Sequence, residues 1–216
     1  MILAIETSSN ICSVAIFDEQ TTIACTQINS KNTHDKLLAN MCKNLFDNLM
    51  VNINLIDYIS VNIGPGSFTG LRIGLSFVKG LIFGKNIKLI DLCSNDILYS
   101  SLNREILDHN IIKAVAIIDA GNENYYLKSY NLATNEVSED LHIVHKGNLK
   151  NYTNEYTVLI SNSAIDDLGN TLCLKTDLNA GLQASLAYKV IQKQNFKDIK
   201  GIKPLYLNDI DYKIKK

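Results

Sequence analysis

The chain has 216 residues, with 21 Lys+Arg against 22 Asp+Glu and a formal net charge of −1. Apolar residues make up 46% and charged residues 20%, an ordinary globular composition that excludes global disorder and leaves enough chain for one large domain or two lobes. The balanced charge removes the basic excess that marks most direct nucleic-acid binders.

In chain order, residues 2–5, 11–17 and 22–28 are β-branched and apolar with turns between them, which predicts an antiparallel meander. A helix follows, with Thr33 or Asp35 as its cap and Leu37, Leu38, Met41, Leu45, Phe46 and Leu49 recurring near the 3.6 period. Residues 58–63 form a fourth strand ending in a glycine-rich turn. A second helix runs to about Phe83, a fifth strand spans 88–92, and a helix spans 95–107. Strand, helix and strand in that order imply a parallel crossover. The logic then restarts, with strands at 114–119 and 125–131 and weaker ones at 142–144 and 156–161. An amphipathic helix at 179–194 follows, with Leu182, Leu186, Val190 and Ile191 on one face. This repetition divides the chain into lobes at 1–95 and 96–195, with an extension at 196–216 that returns to the first lobe. The extension carries an extended piece at 205–207 and a lysine-rich end at Lys213, Lys215 and Lys216. The most apolar stretch, 71–83, is interrupted by Arg72 and Lys79. With no basic, apolar leader at the start, a cytoplasmic protein is expected. The five cysteines, Cys12, Cys25, Cys42, Cys93 and Cys173, lack metal spacing and read as reduced, mostly buried side chains.

Two stretches carry candidate chemistry. The first is Gly64, Pro65, Gly66, Ser67, Phe68, Thr69 and Gly70, followed by Leu71 and Arg72. A strand end and a helix start rich in glycine present backbone N–H groups and a dipole that favours an anion. Arg72, one turn in, reaches a carboxylate or phosphate, or an acid on a partner. The same residues also make a tight strand-to-helix turn capped by Ser67 or Thr69, and no Walker lysine follows. The second is the hairpin tip Glu6, Thr7, Ser8, Ser9 and Asn10, a phosphate-loop position in actin-like ATPases but equally a tip held by its own polar turns. His142 and His145 fall on opposite strand faces, His34 and His109 stand apart, and no metal motif is present. No nucleophile elbow occurs, and Cys93 has no evident base.

The opening Ile-Leu-Ala-Ile-Glu-Thr-Ser, the stretch Asn-Ile-Gly-Pro-Gly-Ser-Phe-Thr-Gly-Leu-Arg-Ile-Gly at 62–74, and Pro-Leu-Tyr-Leu-Asn at 204–208 resemble the TsaB (YeaZ) family. His34 followed by Leu37 and Leu38 also fits that family's first helix. The resemblance implies an α/β, actin/Hsp70-like (ASKHA, ribonuclease H-like) fold of two lobes, with mixed sheets flanked by helices. It implies a non-catalytic scaffold or activator subunit in tRNA N6-threonylcarbamoyladenosine (t6A) modification. That subunit pairs with the transferase TsaD and helps recruit the ATPase TsaE, and tRNA is met only through the complex. TsaD relatives carry an H-x-x-x-H metal motif where this chain has residues 91–97 without histidine, and an Asp where it has Asn10, so the resemblance implies a fold without its catalytic centre. Where TsaB relatives carry a basic residue and a Glu after Asp119-Ala120, this chain has Gly121 and Asn124. The family contact is a four-helix one, which makes Leu37, Leu38, Met41, Leu45, Leu71, Leu75, Val78 and Leu81 the expected interface. No metal and no cofactor are expected on the chain alone, with ATP or ADP at the partner boundary as the one opening. The competing expectations are an actin-like nucleotide-dependent enzyme (an ATPase, a phosphotransferase or the M22-type peptidase of older family labels) and a homodimer using the same helices.

Overall fold

The computed structural model describes residues 1–31, 33–165, 168–193 and 202–207. Two five-stranded sheets carry the architecture. The first is built from β1 (Ile2–Glu6), β2 (Ile11–Asp18), β3 (Thr21–Asn29), β4 (Tyr58–Gly64) and β5 (Lys88–Cys93), in the order β3-β2-β1-β4-β5. The second is built from β6 (Lys113–Gly121), β7 (Asn124–Asn131), β8 (Val137–His145), β9 (Thr157–Ser161) and β10 (Leu172–Lys175), in the order β8-β7-β6-β9-β10. In both, the first three strands form an antiparallel meander and the last two join it in parallel. This is the two-lobe, actin-like arrangement that the resemblance implies.

Period-two alternation assigns each central strand two buried faces. Leu3 and Ile5 of β1 face α1 (His34–Leu49) and α2 (Phe68–Ile82), while Ile2 and Ala4 face the opposite way. Ala114, Ala116 and Ile118 of β6 face the same inner layer, and Val115 and Ile117 pack on Leu127, Val144 and Leu149 outside it. The inner layer holds α3 (Ser94–Ser100) and α4 (Ala180–Gln192). α3 packs on β6 and α4 on β1 and β2, so each helix lies on the sheet of the other half of the chain. Residues 202–207 run back over the first sheet, where Leu205 N–H donates to Ile63 O (2.7 Å) and Ile202 is buried beside α1 and α2. Residues 208–216, with Asn208 and the terminal lysines, lie outside the described residues.

Three expectations change. The helix expected over 95–107 ends at Ser100, because the Ser100 and Ser101 hydroxyls bond the carbonyls of Ile97 and Leu98 (2.7 Å each); a short 3-10 turn, Arg104–Ile106, follows. β8 extends well beyond 142–144, and β10 was not anticipated. α4 buries Ala180, Gln183, Ala184 and Ala187 rather than its leucine face, since the space between two sheets admits small side chains; Leu182, Leu186, Val190 and Ile191 are only half-buried. No helix among the described residues is long and apolar enough to cross a membrane.

Candidate functional site

The ends of β1, β4 and β5 meet at one buried polar cluster. Glu6, the last residue of β1, is fully buried; its Oε1 accepts from Ser8 N–H and its Oε2 from Asn62 Nδ2 (2.6 Å each). Asn62 also donates to Ser8 Oγ (3.0 Å), and its Oδ1 accepts from Ser94 Oγ (3.0 Å) and Gly64 N–H (2.8 Å). Burial raises the Glu6 carboxyl above its ordinary 4.5, opposed by the donors from Ser8 and Asn62. Every polar group in this cluster finds its partner within the chain.

The glycine-rich turn packs on the same tip. Ser67 N–H donates to Ser8 O (2.7 Å), Thr7 Oγ1 donates to Gly70 O (2.8 Å), and Ser67 Oγ caps α2 by accepting from Gly70 N–H (3.2 Å). A Cβ on Gly66 would stand 2.4 Å from Ser8 O, one on Gly70 2.0 Å from Thr7 O, and one on Gly74 2.3 Å from Thr7 Oγ1. These glycines let α2 lie directly against the Thr7–Ser8 backbone. Residues 64–70 form the tight turn of the second reading, capped by Ser67, with α2 seated against Thr7 and Ser8. Pro65 is buried, and Phe68 turns its ring toward Tyr206 (centroids 5.0 Å apart) while Thr69 is exposed. Arg72 stacks over Phe68 (4.0 Å to the centroid) and donates from Nε to Tyr206 Oη (3.0 Å), so the returning chain supplies its partner.

The expected interface residues need correction. Leu38, Met41, Leu45, Leu75 and Val78 are buried inside the first lobe's own core, Leu71 is buried beside Gly64, and Leu37 and Leu81 are half-buried. The apolar stripe of each helix is spent on the sheet beneath it, because α1 and α2 share one face of that sheet and each needs a whole stripe to cover it. The outer faces are Lys36, Asn40, Lys43 and Asp47 on α1, and Arg72, Ser76 and Gly80 with half-buried Ile73 and Phe77 on α2.

Between the lobes lies a cleft of about 420 Å³, lined by Ser8, Asn10, Ser67, Asp119, Asn162, Lys175 and Asp177 among others. Asn162 Oδ1 is buried there without a hydrogen-bond partner. Two carboxylates and one ammonium stand in this lining, and the N–H groups of Ser67 and Gly70 are already engaged by Ser8 O and Ser67 Oγ. At the tip where this chain has Gly121 and Asn124, Lys146, just past β8, reaches Asp119 (3.3 Å) and stacks on Tyr125 (5.1 Å).

The histidines stay apart: His142 Nδ1 lies 2.7 Å from Asp140 O, His145 Nδ1 accepts from Gly147 N–H (3.1 Å), His34 is buried and His109 exposed. Among the described residues no group of three or more His, Cys, Asp or Glu is placed to hold a metal ion. Burial pushes the Cys12, Cys42 and Cys93 thiols up to about 11, which keeps them protonated at neutral pH. Cys25 and Cys173 are exposed, contrary to the expectation of burial.

Sequence reading missed Asn62 and Ser94 as members of the cluster. Their signal was a polar residue near the C-terminal end of β4 and another directly after β5, the usual place for a site in such a sheet.

Comparison with known proteins agrees with this architecture. The family model "TsaD: tRNA N6-adenosine threonylcarbamoyltransferase" matches residues 23–146. The tRNA threonylcarbamoyladenosine biosynthesis protein TsaB of Haemophilus influenzae is 32% identical over 126 residues, covering 58% of this chain and 52% of that protein. TsaB of Escherichia coli is 32% identical over 89 residues, 41% of this chain and 38% of that protein. The chain thus matches about half the length of its first curated relatives. Among solved structures, YeaZ from Pseudomonas aeruginosa superposes with a TM-score of 0.76 at 22% identity, covering 95% of this chain and 99% of that one. A second Pseudomonas aeruginosa structure, described as similar to peptidase YEAZ, gives 0.80 at 23% identity over 96% and 99%. With its opening strand, its 62–74 turn and its paired sheets, the chain belongs to the TsaB (YeaZ) family, within the wider group that the TsaD model describes.

Proposed function

We propose that this chain is a non-catalytic subunit of tRNA threonylcarbamoyladenosine biosynthesis in the cytoplasm. It pairs with a TsaD-type transferase, helps form the surface that a TsaE-type ATPase uses, and meets tRNA through that assembly. The observation that carries this reading is the closed cluster at Glu6, Ser8, Asn62 and Ser94, with α2 seated on Thr7 and Ser8: the groups that would hold phosphate bond one another. The pairing surface is the outer face of α1 and α2. Half-buried Ile73 and Phe77 supply its apolar centre, Ser76 and Gly80 let a partner helix approach, and Lys36, Lys43 and Arg72 form a polar rim. Binding there favours the transferase's active conformation by differential contact, without chemistry on this chain. Ser76→Arg and Phe77→Asp test it by co-elution with the TsaD-type subunit and by tRNA modification in a reconstituted system. Both should fall together, and an intact complex with full modification removes the reading.

A nucleotide-dependent enzyme is the second reading, favoured by the open cleft and the unpaired Asn162 Oδ1. Titration of the protein with ATP and Mg²⁺ by calorimetry, with a hydrolysis assay, separates the two. Stoichiometric binding with turnover supports the enzyme, and ATP or ADP bound only when the partner is present supports a site at the subunit boundary.

A further inference from the structure

The second sheet ends on the cleft between the lobes. β6, β9 and β10 run parallel, with Ile117 in register with Ser161 and Ser161 with Lys175. Their carboxyl ends therefore lie side by side, where parallel sheets hold small ligands. Four polar residues of the cleft lining stand there: Asp119 near the end of β6, Asn162 directly after β9, Lys175 at the end of β10, and Asp177 two residues on. Asp119 has its partners in Lys146 (3.3 Å) and Gly121 N–H (2.7 Å). The other three keep unmet demands. Asn162 Oδ1 is buried with no hydrogen-bond partner. Lys175 and Asp177 carry opposite charges into one cleft, yet form no ion pair with each other or with any other described residue. At the start of β6, in the groove at the opposite end of the sheet, Lys113 and Glu139 do close on each other (3.5 Å). Ile11, Ile118 and Leu178 add buried apolar surface to the cleft.

We propose that this end of the cleft binds a free α-amino acid. The lining asks for a cation at Asp177, an anion at Lys175 and a hydrogen-bond donor at Asn162 Oδ1. One carbon bearing an ammonium and a carboxylate meets all three: the ammonium donates to Asp177 and Asn162 Oδ1, and the carboxylate accepts from Lys175. Lys175 and Lys146 balance Asp119 and Asp177, so a ligand of zero net charge leaves no charge over in the cleft. Ile11, Ile118 and Leu178 give its side chain an apolar wall, and the volume of about 420 Å³ suits a small molecule. The site binds and makes or breaks no bond. It lies apart from the outer face of α1 and α2, so it stands independently of the pairing proposed there.

The test is calorimetric titration of the full chain with each proteinogenic L-α-amino acid in turn, then with the N-acetyl and α-amide forms of the tightest ligand. The same titrations are run on Asp177→Asn and Lys175→Gln. The expected result is one molecule bound per chain with a Kd below about 1 mM. The N-acetyl form, which lacks the ammonium, and the amide, which lacks the carboxylate, should each bind about ten-fold more weakly or worse. Asp177→Asn should erase the discrimination against the N-acetyl form and keep that against the amide, and Lys175→Gln should do the reverse. A wild-type chain that binds no amino acid below that Kd overturns the proposal. So do derivatives that bind as tightly as the parent, and so do folded variants that keep the wild-type discrimination. If a variant fails to fold, the derivatives on the wild-type chain decide. Ser76→Arg should bind the amino acid as the wild type does, which separates failure here from failure of the helix-face reading.

Discussion

Two hairpin tips face the cleft, and they are built in opposite ways. The first, between β1 and β2, is buried: Glu6 is 0%, Thr7 1% and Ser8 3% exposed, and α2 lies on their backbone. The second, between β6 and β7, is open: Asp119, Gly121, Asn122 and Glu123 are exposed, and a Cβ on Gly121 would meet nothing within 4 Å. In a fold whose lobes repeat one strand order, equivalent turns thus do different work. Gly66, Gly70 and Gly74, on the turn and helix packed against the first tip, make room for the chain itself. Glycine at the second answers a local need for positive φ (+71°).

The largest effect should come from filling the packed side. Gly70→Ala sets a Cβ against the Thr7 carbonyl and should cost about 3 kcal/mol or more. Gly121→Ala meets only its unfavourable φ and should cost about 1 kcal/mol. Urea denaturation of the two variants measures the contrast, and equal losses would break it. Next in size is Asn62→Ala, which strips donors from Glu6 and Ser8 and an acceptor from Ser94 and Gly64, for about 2–3 kcal/mol. Asn124→Ala on the open tip, whose side chain bonds only the nearby Asn122 carbonyl, should change stability by about 0.5 kcal/mol at most.

A further contrast is in pH. Burial raises the Glu6 carboxyl, so the folded chain holds that proton more tightly than the unfolded chain. Its contribution is present in full below the ordinary value of 4.5 and is lost as pH rises through the folded value. Urea melts across this range should show stability falling with rising pH on this account, and Glu6→Gln should flatten that fall. An unchanged slope in the variant would assign the pH dependence to other groups.

Much of this contrast was legible in the residues, and the remainder failed for identifiable reasons. Alternating and continuous apolar runs marked β1, β2, β3, β4, β6 and β7, and the 3.6 period marked α1 and α2. The same period could not say what a stripe faces: Leu38, Met41, Leu75 and Val78 read as an interface, yet their own sheet takes them. The glycines at 64–70 marked a close approach without showing that Thr7 and Ser8 make it, and the Arg72–Tyr206 contact spans 134 residues. β10 is short and lies at an edge, so neither length nor alternation announced it. Asn62 was visible as a polar residue near the end of β4 and Ser94 as one directly after β5, but their pairing depends on the β4–β5 register.

The most direct test of the central claim, that this chain acts through an outer helical face while its own loop end is closed on itself, is modification of tRNA by a reconstituted TsaD-type system supplied with Ser76→Arg. The account predicts an unchanged melting temperature for the variant alone, with loss of both the complex and the threonylcarbamoyladenosine product. Full product formation by the folded variant would contradict it.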